Sequence, residues 1–491
     1  MQLPLPLSDL PAAPTELTRG QRVYVNRSLR FDLVSMVGFD MDYTLAIYRQ
    51  EEMDRLSIEA TAAKLVELGY PERLRNMAYR ADYPIRGLLI DRKLGNVLKM
   101  DRYRYVKKAY HGMRELSREE RAQLYHSRPV RVGSERYHWV DTLYALSEVA
   151  VFAAVVEDLE SAGDVVDAGQ LFDDIRRSID LAHRDGSILN AILKEPERFI
   201  TRDPDLPATI HKLRSAGKRL FLLTNSNAEY TDQVMSFLFA GALNGYSSWR
   251  SYFDIIVTGA MKPRFFKEDD IPFEPAEPDL EPPERGFERG RIYRGGCLER
   301  FRQLAEAEGD RVLYVGDHIY GDVLRAKKDT AWRTAMIVQE MDQELRVHEQ
   351  VTPMLDRMDA LEQISDLLNE ELRMRQASLR KIAKELEQAR EHGTAHTELA
   401  AARVHHKKLI DRIKVRLRAM DEELEILEET IDTAFHPFWG SLFKAGPEVS
   451  SFGDQVEKYA CLYTDRVSNL LHYSPLHYFR SPRDRMPHEE S

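Results

Sequence analysis

The stretch Leu33-Val34-Ser35-Met36-Val37-Gly38-Phe39-Asp40-Met41-Asp42-Tyr43-Thr44 sets the reading of this 491-residue chain. The apolar run over 33–39 predicts a buried strand, and its abrupt end in two carboxylates predicts an acidic turn. A helix is then predicted over 51–68. Strand, carboxylate-bearing turn and helix together make the opening unit of a parallel α/β sheet. Such sheets place their chemistry in the crevice beyond the carboxyl ends of the strands.

The same alternation returns further along. A predicted helix over 207–216 leads to a strand at 219–223, to Thr224-Asn225-Ser226 and to a helix beginning near Tyr230. A strand over 253–258 precedes Lys262-Pro263, and one over 311–315 precedes Gly316-Asp317. The expected fold class is α/β, a doubly wound parallel sheet with its core in 31–69 and 200–361. Residues 70–199 do not keep the alternation and are expected to form an inserted, mainly helical cap domain. Residues 267–290, rich in Pro, Glu and Asp, are expected to leave the core as a surface flap. Heptad-like spacing of Ile364, Leu367, Leu368, Leu372, Ile382 and Leu386, with a break at 391–394, predicts an antiparallel helical hairpin over 362–435. Residues 1–30 are an N-terminal extension. The aromatic, His-rich tail over 436–491 is expected to pack on the core.

Composition narrows the function classes. With 43% hydrophobic residues the chain can bury a large core. No run approaches the ~18 apolar residues a membrane span needs, so no membrane partner is expected. The first ten residues lack the order of a signal peptide, and the two cysteines, Cys297 and Cys461, have no disulfide or metal spacing. A reducing cytoplasm is the expected location. A net charge of −11 argues against nucleic acid as a general partner. The basic stretch 403–418, followed by the acidic stretch 421–429, fits a solvated, charge-complementary hairpin; a polyanion such as RNA is the sharper alternative.

Phosphoryl transfer through an aspartate needs a neighbouring acid, a cation and fixed donors for the phosphoryl oxygens. Asp40 can attack phosphorus, and Asp42 can protonate the leaving oxygen and then activate water. Thr224 offers a hydroxyl and Lys262 a positive charge, while Asp317 and Asp322 add carboxylates for a hard, oxygen-seeking Mg²⁺. Singly, each piece also fits an ordinary turn, helix cap or surface dipeptide. Their succession after four apolar strands carries the reading.

The segments Asp40-Met41-Asp42-Tyr43-Thr44, Thr224-Asn225-Ser226, Lys262-Pro263 and Gly316-Asp317-His318-Ile319-Tyr320-Gly321-Asp322 resemble the four motifs of the haloacid dehalogenase-like superfamily. Within it the chain is similar to the cytosolic purine 5′-nucleotidases, also in Met261-Lys262-Pro263-Arg264-Phe265-Phe266 and Gly440-Ser441-Leu442-Phe443-Lys444. The resemblance implies an aspartyl-phosphate on Asp40, with Thr224, Asn225, Ser226 and Lys262 around the phosphoryl group. It implies Mg²⁺ held by Asp40, the Asp42 backbone carbonyl and Asp317, with Asp322 close by. A nucleoside 5′-monophosphate would be the bound partner, its purine stacked on Tyr144 and read by Arg176 and Asp180, although Leu189 stands where the family pattern supplies a lysine. A homo-oligomer and transfer of the phosphoryl group to a nucleoside are further implications. The competing expectations are a phosphatase for another phosphomonoester, such as a sugar phosphate, and a non-catalytic assembly protein using the hairpin.

Overall fold

The computed structural model describes residues 17–125, 129–241, 245–277, 281–306, 309–324, 330–391 and 397–482. It divides into one unit of Met1–Asp342 with Leu442–Ser491 and a second of Gln343–Ser441.

The first unit is built on a nine-stranded sheet. Its strands run in the order Tyr24–Val25, Leu462–Thr464, Arg333–Ile337, Val312–Gly316, Met36–Phe39, Arg219–Leu223, Ile255–Thr258, Ile292–Gly295 and Phe273–Pro275. The seven inner strands are parallel and the two edge strands antiparallel. The four strands read from the sequence lie side by side at the centre, because their apolar runs are buried on both faces. Tail residues 462–464 join the same sheet beside Arg333–Ile337.

Gly38 lies between Phe221 and Tyr314 on the neighbouring strands. Those two rings stack at 6.0 Å with 14° between their planes. A side chain on Gly38 would place its Cβ 2.0 Å from the Phe221 ring, so the strand that carries Asp40 fits only without one.

The insert is mainly helical as expected, and two features of this unit go beyond the expectations. The insert is not helices alone. Helices such as Leu146–Ser161 and Ala168–Arg184 hold more of its residues than strands do, but it also contains a five-stranded antiparallel sheet. That sheet has the order Arg114–Glu115, Val106–His111, Asn96–Met100, Leu88–Asp91, Tyr137–Val140. The excursion over 267–290 does not simply leave the core either: Phe273–Pro275 closes the main sheet as an edge strand, a position that tolerates Pro275. Residues 278–280 of that excursion lie outside the described residues.

In the second unit, the helices Met341–Glu391 and Thr397–Phe435 make up the hairpin. The first begins well before residue 362, because it continues through Pro353, a residue that ordinarily marks a helix boundary. Arg357 on one helix donates to both carboxylate oxygens of Glu423 on the other, at 2.8 and 3.2 Å. The expected break at 391–394 falls, from 392 onward, outside the described residues. Among the described residues no helix is long and apolar enough to cross a membrane.

Gly38→Ala is expected to destabilise the protein by about 1–3 kcal/mol through overpacking against Phe221. An unchanged urea midpoint would show that the ring can step aside.

Candidate active site

Asp40, Thr224, Lys262 and Asp317 each follow a central parallel strand, so the sheet delivers them to one edge. Asp40 is nearly buried, and its Oδ1 accepts from the Met41 N–H at 2.8 Å and from Lys262 Nζ at 2.9 Å. The same ammonium donates to Asp322 Oδ1 at 2.7 Å and to the Tyr314 hydroxyl at 2.9 Å. The Tyr314 hydroxyl in turn donates to the Leu223 carbonyl at 3.1 Å, which ties this cluster to the core strands.

The loop after Val312–Gly316 depends on a missing side chain. A Cβ on Gly316 would sit 2.5 Å from Asp322 Oδ2, so glycine here lets the Asp322 carboxylate fold back toward Lys262. Asp317 is held from the other side. Arg86 is buried, donates to the Asp317 carbonyl at 3.0 Å and forks onto both oxygens of Glu340 at 2.7 and 2.5 Å. Nothing in the sequence around Arg86 marked it for this role; its partner is 254 residues away.

Asp42 makes a separate arrangement beside Asp40. Tyr48 donates to its Oδ1 and Ser226 to its Oδ2, both at 2.6 Å. Burial raises the Asp42 carboxyl against the lowering effect of those two donors. A carboxyl raised in this way can hold and release a proton. Thr224 is fully buried and its hydroxyl accepts from the Ser226 N–H at 3.1 Å. Asn225, expected to touch substrate, uses its amide on the Lys262 main chain: its Nδ2 donates to the carbonyl at 3.0 Å and its Oδ1 accepts from the N–H at 2.5 Å.

Oxygens of Asp40, Asp317 and Asp322 lie within 4.8 Å of one another. Burial raises Asp40 well above the ordinary carboxylate range despite the pull of Lys262, with Asp322, Asp317 and Asp42 adding to the rise. Asp317 is pushed up to about 7, chiefly by burial and then by Asp322. A buried all-oxygen group of like charges, with the Lys262 ammonium against Asp40 and Asp322 and the Arg86 and His318 cations near Asp317, is the donor set a divalent cation fits. The Asp42 carboxylate stands outside that group, engaged by Tyr48 and Ser226.

A cleft of about 770 Å³ opens from Asp40, Asp42 and Asp317 and runs to Tyr144, His183, Leu189 and Asn190. Tyr144 is 37% exposed, and its ring meets that of His183 at 4.7 Å. Burial lowers His183 to about 4, so it is neutral near pH 7. His183 was missed in the sequence, although one further turn of the helix from Asp180 reaches it. Arg176 and Asp180 do not line this cleft. Instead of pairing with Asp180, Arg176 faces His138 at 3.4 Å and the buried Glu148 at 3.9 Å.

The family model described as "5' nucleotidase family" matches residues 23–491. The chain belongs to that family. It is similar to a 5′-nucleotidase domain-containing protein of Dictyostelium discoideum, at 28% identity over 98% of this chain and 76% of the relative. It is also similar to the human 5′-nucleotidase domain-containing protein 2, at 30% identity over 70% of this chain and 67% of the relative. Among solved structures, CbbY from Rhodobacter sphaeroides in complex with phosphate aligns over 62% of this chain and 86% of that one, at 16% identity and a TM-score of 0.24. L-2-haloacid dehalogenase from Xanthobacter autotrophicus aligns over 62% and 78%, at 12% identity and a TM-score of 0.22. Those two structural likenesses are too slight to bear on activity. Membership in the nucleotidase family makes the protein a phosphoric monoester hydrolase.

Asn225→Ala is expected to lower kcat/KM by roughly a hundredfold, the scale of a small misplacement of a reacting group. The check is steady-state phosphate release beside a melting curve. Wild-type kinetics would show that Lys262 holds its place without the brace.

Proposed function

We propose that this site hydrolyses nucleoside 5′-monophosphates in a magnesium-dependent reaction through an aspartyl-phosphate on Asp40. The observation that carries the reading is the cleft itself, with carboxylates at one end and the Tyr144–His183 ring pair at the other. A planar base stacks on such rings, whereas a sugar phosphate offers them no aromatic face. Purines, with the larger face, are the preferred bases.

In the first step the Asp40 oxygen not held by Met41 and Lys262 attacks phosphorus. The bond from phosphorus to the ribose 5′ oxygen breaks, and that oxygen takes the proton from Asp42. Lys262 offsets charge beside Asp40, while Thr224 and Ser226 orient the phosphoryl group and Asp42 respectively. In the second step Asp42, now a carboxylate, takes a proton from water as the water oxygen attacks phosphorus and releases Asp40. A nucleoside hydroxyl in place of that water gives phosphoryl transfer. Asp40, Asp317 and Asp322 would hold the magnesium ion, which supplies positive charge against the phosphoryl oxygens when bound.

Phosphate release from IMP, GMP, AMP, CMP and glucose 6-phosphate, with and without Mg²⁺, tests this reading. Release from the purine nucleotides is expected to require Mg²⁺ and to vanish in Asp40→Asn. Activity that survives the substitution would reject Asp40 as nucleophile, and a preference for glucose 6-phosphate would reject the nucleotide assignment.

Base recognition has its own test. His183→Ala is expected to raise KM for IMP by about ten- to a hundredfold, the scale of one lost stacking contact. KM for para-nitrophenyl phosphate is expected to change little. Equal rises for both would place His183 in the scaffold.

A further inference from the structure

The Thr397–Phe435 helix divides its charge sharply. Residues 403–418 carry seven Lys or Arg and one Asp, and residues 421–429 carry six acidic residues and no basic one. Its inward residues Ile410, Ile413, Met420 and Ile431 are buried. Another face is exposed along its whole length and carries Val404, Val415 and Ile426, which are 54%, 65% and 65% exposed. These three are spaced by eleven residues, close to three helical turns, and so form one line. Lys408, Arg412, Arg418, Glu422 and Glu429 flank that line and are exposed as well. Among the described residues Arg412, Arg418, Glu422 and Glu429 form no ion pair.

We propose that this face pairs antiparallel with the same face of a second copy of the chain. A copy laid parallel would set basic half on basic half, and a polyanion would meet the acidic half with repulsion. An antiparallel copy satisfies both halves at once, and a two-fold pairing in which each half meets the other is the self-complementary arrangement of a symmetric dimer. The register follows from the apolar line. A two-fold axis at the level of Met420 and Asp421 sets Val415 opposite Ile426 of the second copy. The same axis brings Arg418 beside Glu422 of the second copy on the same flank. The apolar pair removes its exposed surface from water, and the charges around it select orientation and register.

Sedimentation equilibrium of the full chain tests the pairing. The expected mass is twice the 56.9 kDa of one chain. Ile426→Lys, Arg418→Glu and Glu422→Arg are each expected to raise the dissociation constant by about tenfold or more, the scale of one close charge contact across an interface. The double variant R418E/E422R is expected to return it toward the wild-type value, since each reversed side chain then meets a reversed partner. Circular dichroism checks that these exposed substitutions leave the helices intact. A monomeric wild type overturns the proposal. So does a double variant no tighter than the single ones, or a dimer that survives Ile426→Lys but dissociates in Leu367→Lys, which alters an exposed apolar residue of the other helix.

Discussion

The Lys262 ammonium is the interaction on which the centre of this molecule depends. It is almost wholly buried and touches Asp40, Asp322 and Tyr314 within 2.9 Å. Removing one cation from such a group would leave two largely buried carboxylates without their ammonium, a cost of several kcal/mol in comparable buried pairs. Much of the surrounding structure holds that ammonium where it is. Asn225 fixes its main chain on both sides, Gly316 clears the space through which Asp322 reaches it, and Tyr314 links it to the Phe221 stack over Gly38. Packing in the sheet and charge at its edge are therefore one system.

This coupling explains why the catalytic end was legible in the sequence. Four apolar runs buried on both faces read as central parallel strands, and the residue after each run has no choice but to emerge at the same sheet edge. Asp40, Thr224 and Asp317 stand directly after such runs and Lys262 four residues past Thr258; that placement, the chemistry of the side chains and the resemblance of their segments to known motifs made them legible together. Arg86 and Tyr48 were not, because their roles arise from contacts that no local pattern announces. Tyr48 acts on Asp42 across a turn, and Arg86 comes from the insert to the Asp317 carbonyl.

The insert's sheet escaped notice for a different reason. Its strands Leu88–Asp91 and Asn96–Met100 are buried at every position, so they lack the alternation of a half-exposed strand. They also bury charge and amide groups: Asp91 accepts from Arg136 at 2.6 Å and from Tyr125 at 2.9 Å, and Asn96 donates to Tyr125 at 2.8 Å. Polar residues that look like surface in the sequence are here the satisfied interior of a sheet. The same effect moved the expected base-reading pair. Glu148 is buried and raised to about 7, chiefly by burial, and the Arg176 cation lies beside it. An i,i+4 pairing of Arg176 with Asp180 competes poorly with a buried carboxylate.

Charge is thus handled in opposite ways in the two units. At the sheet edge, carboxylates and ammonium are buried, held by fixed donors and brought within a few ångströms, conditions in which small displacements change proton affinity and reactivity. Along the hairpin, most charge stays in water, where single pairs contribute little to folding. Glu423, bound by Arg357, is used within the hairpin, while Arg418 and Glu422 remain outside it. Surface charge of this kind gains weight only when another surface excludes the water around it. The segregation of sign along the Thr397–Phe435 helix is not used up within the hairpin, since among the described residues Arg412, Arg418, Glu422 and Glu429 form no ion pair there. What it specifies is the direction in which a second helix can lie.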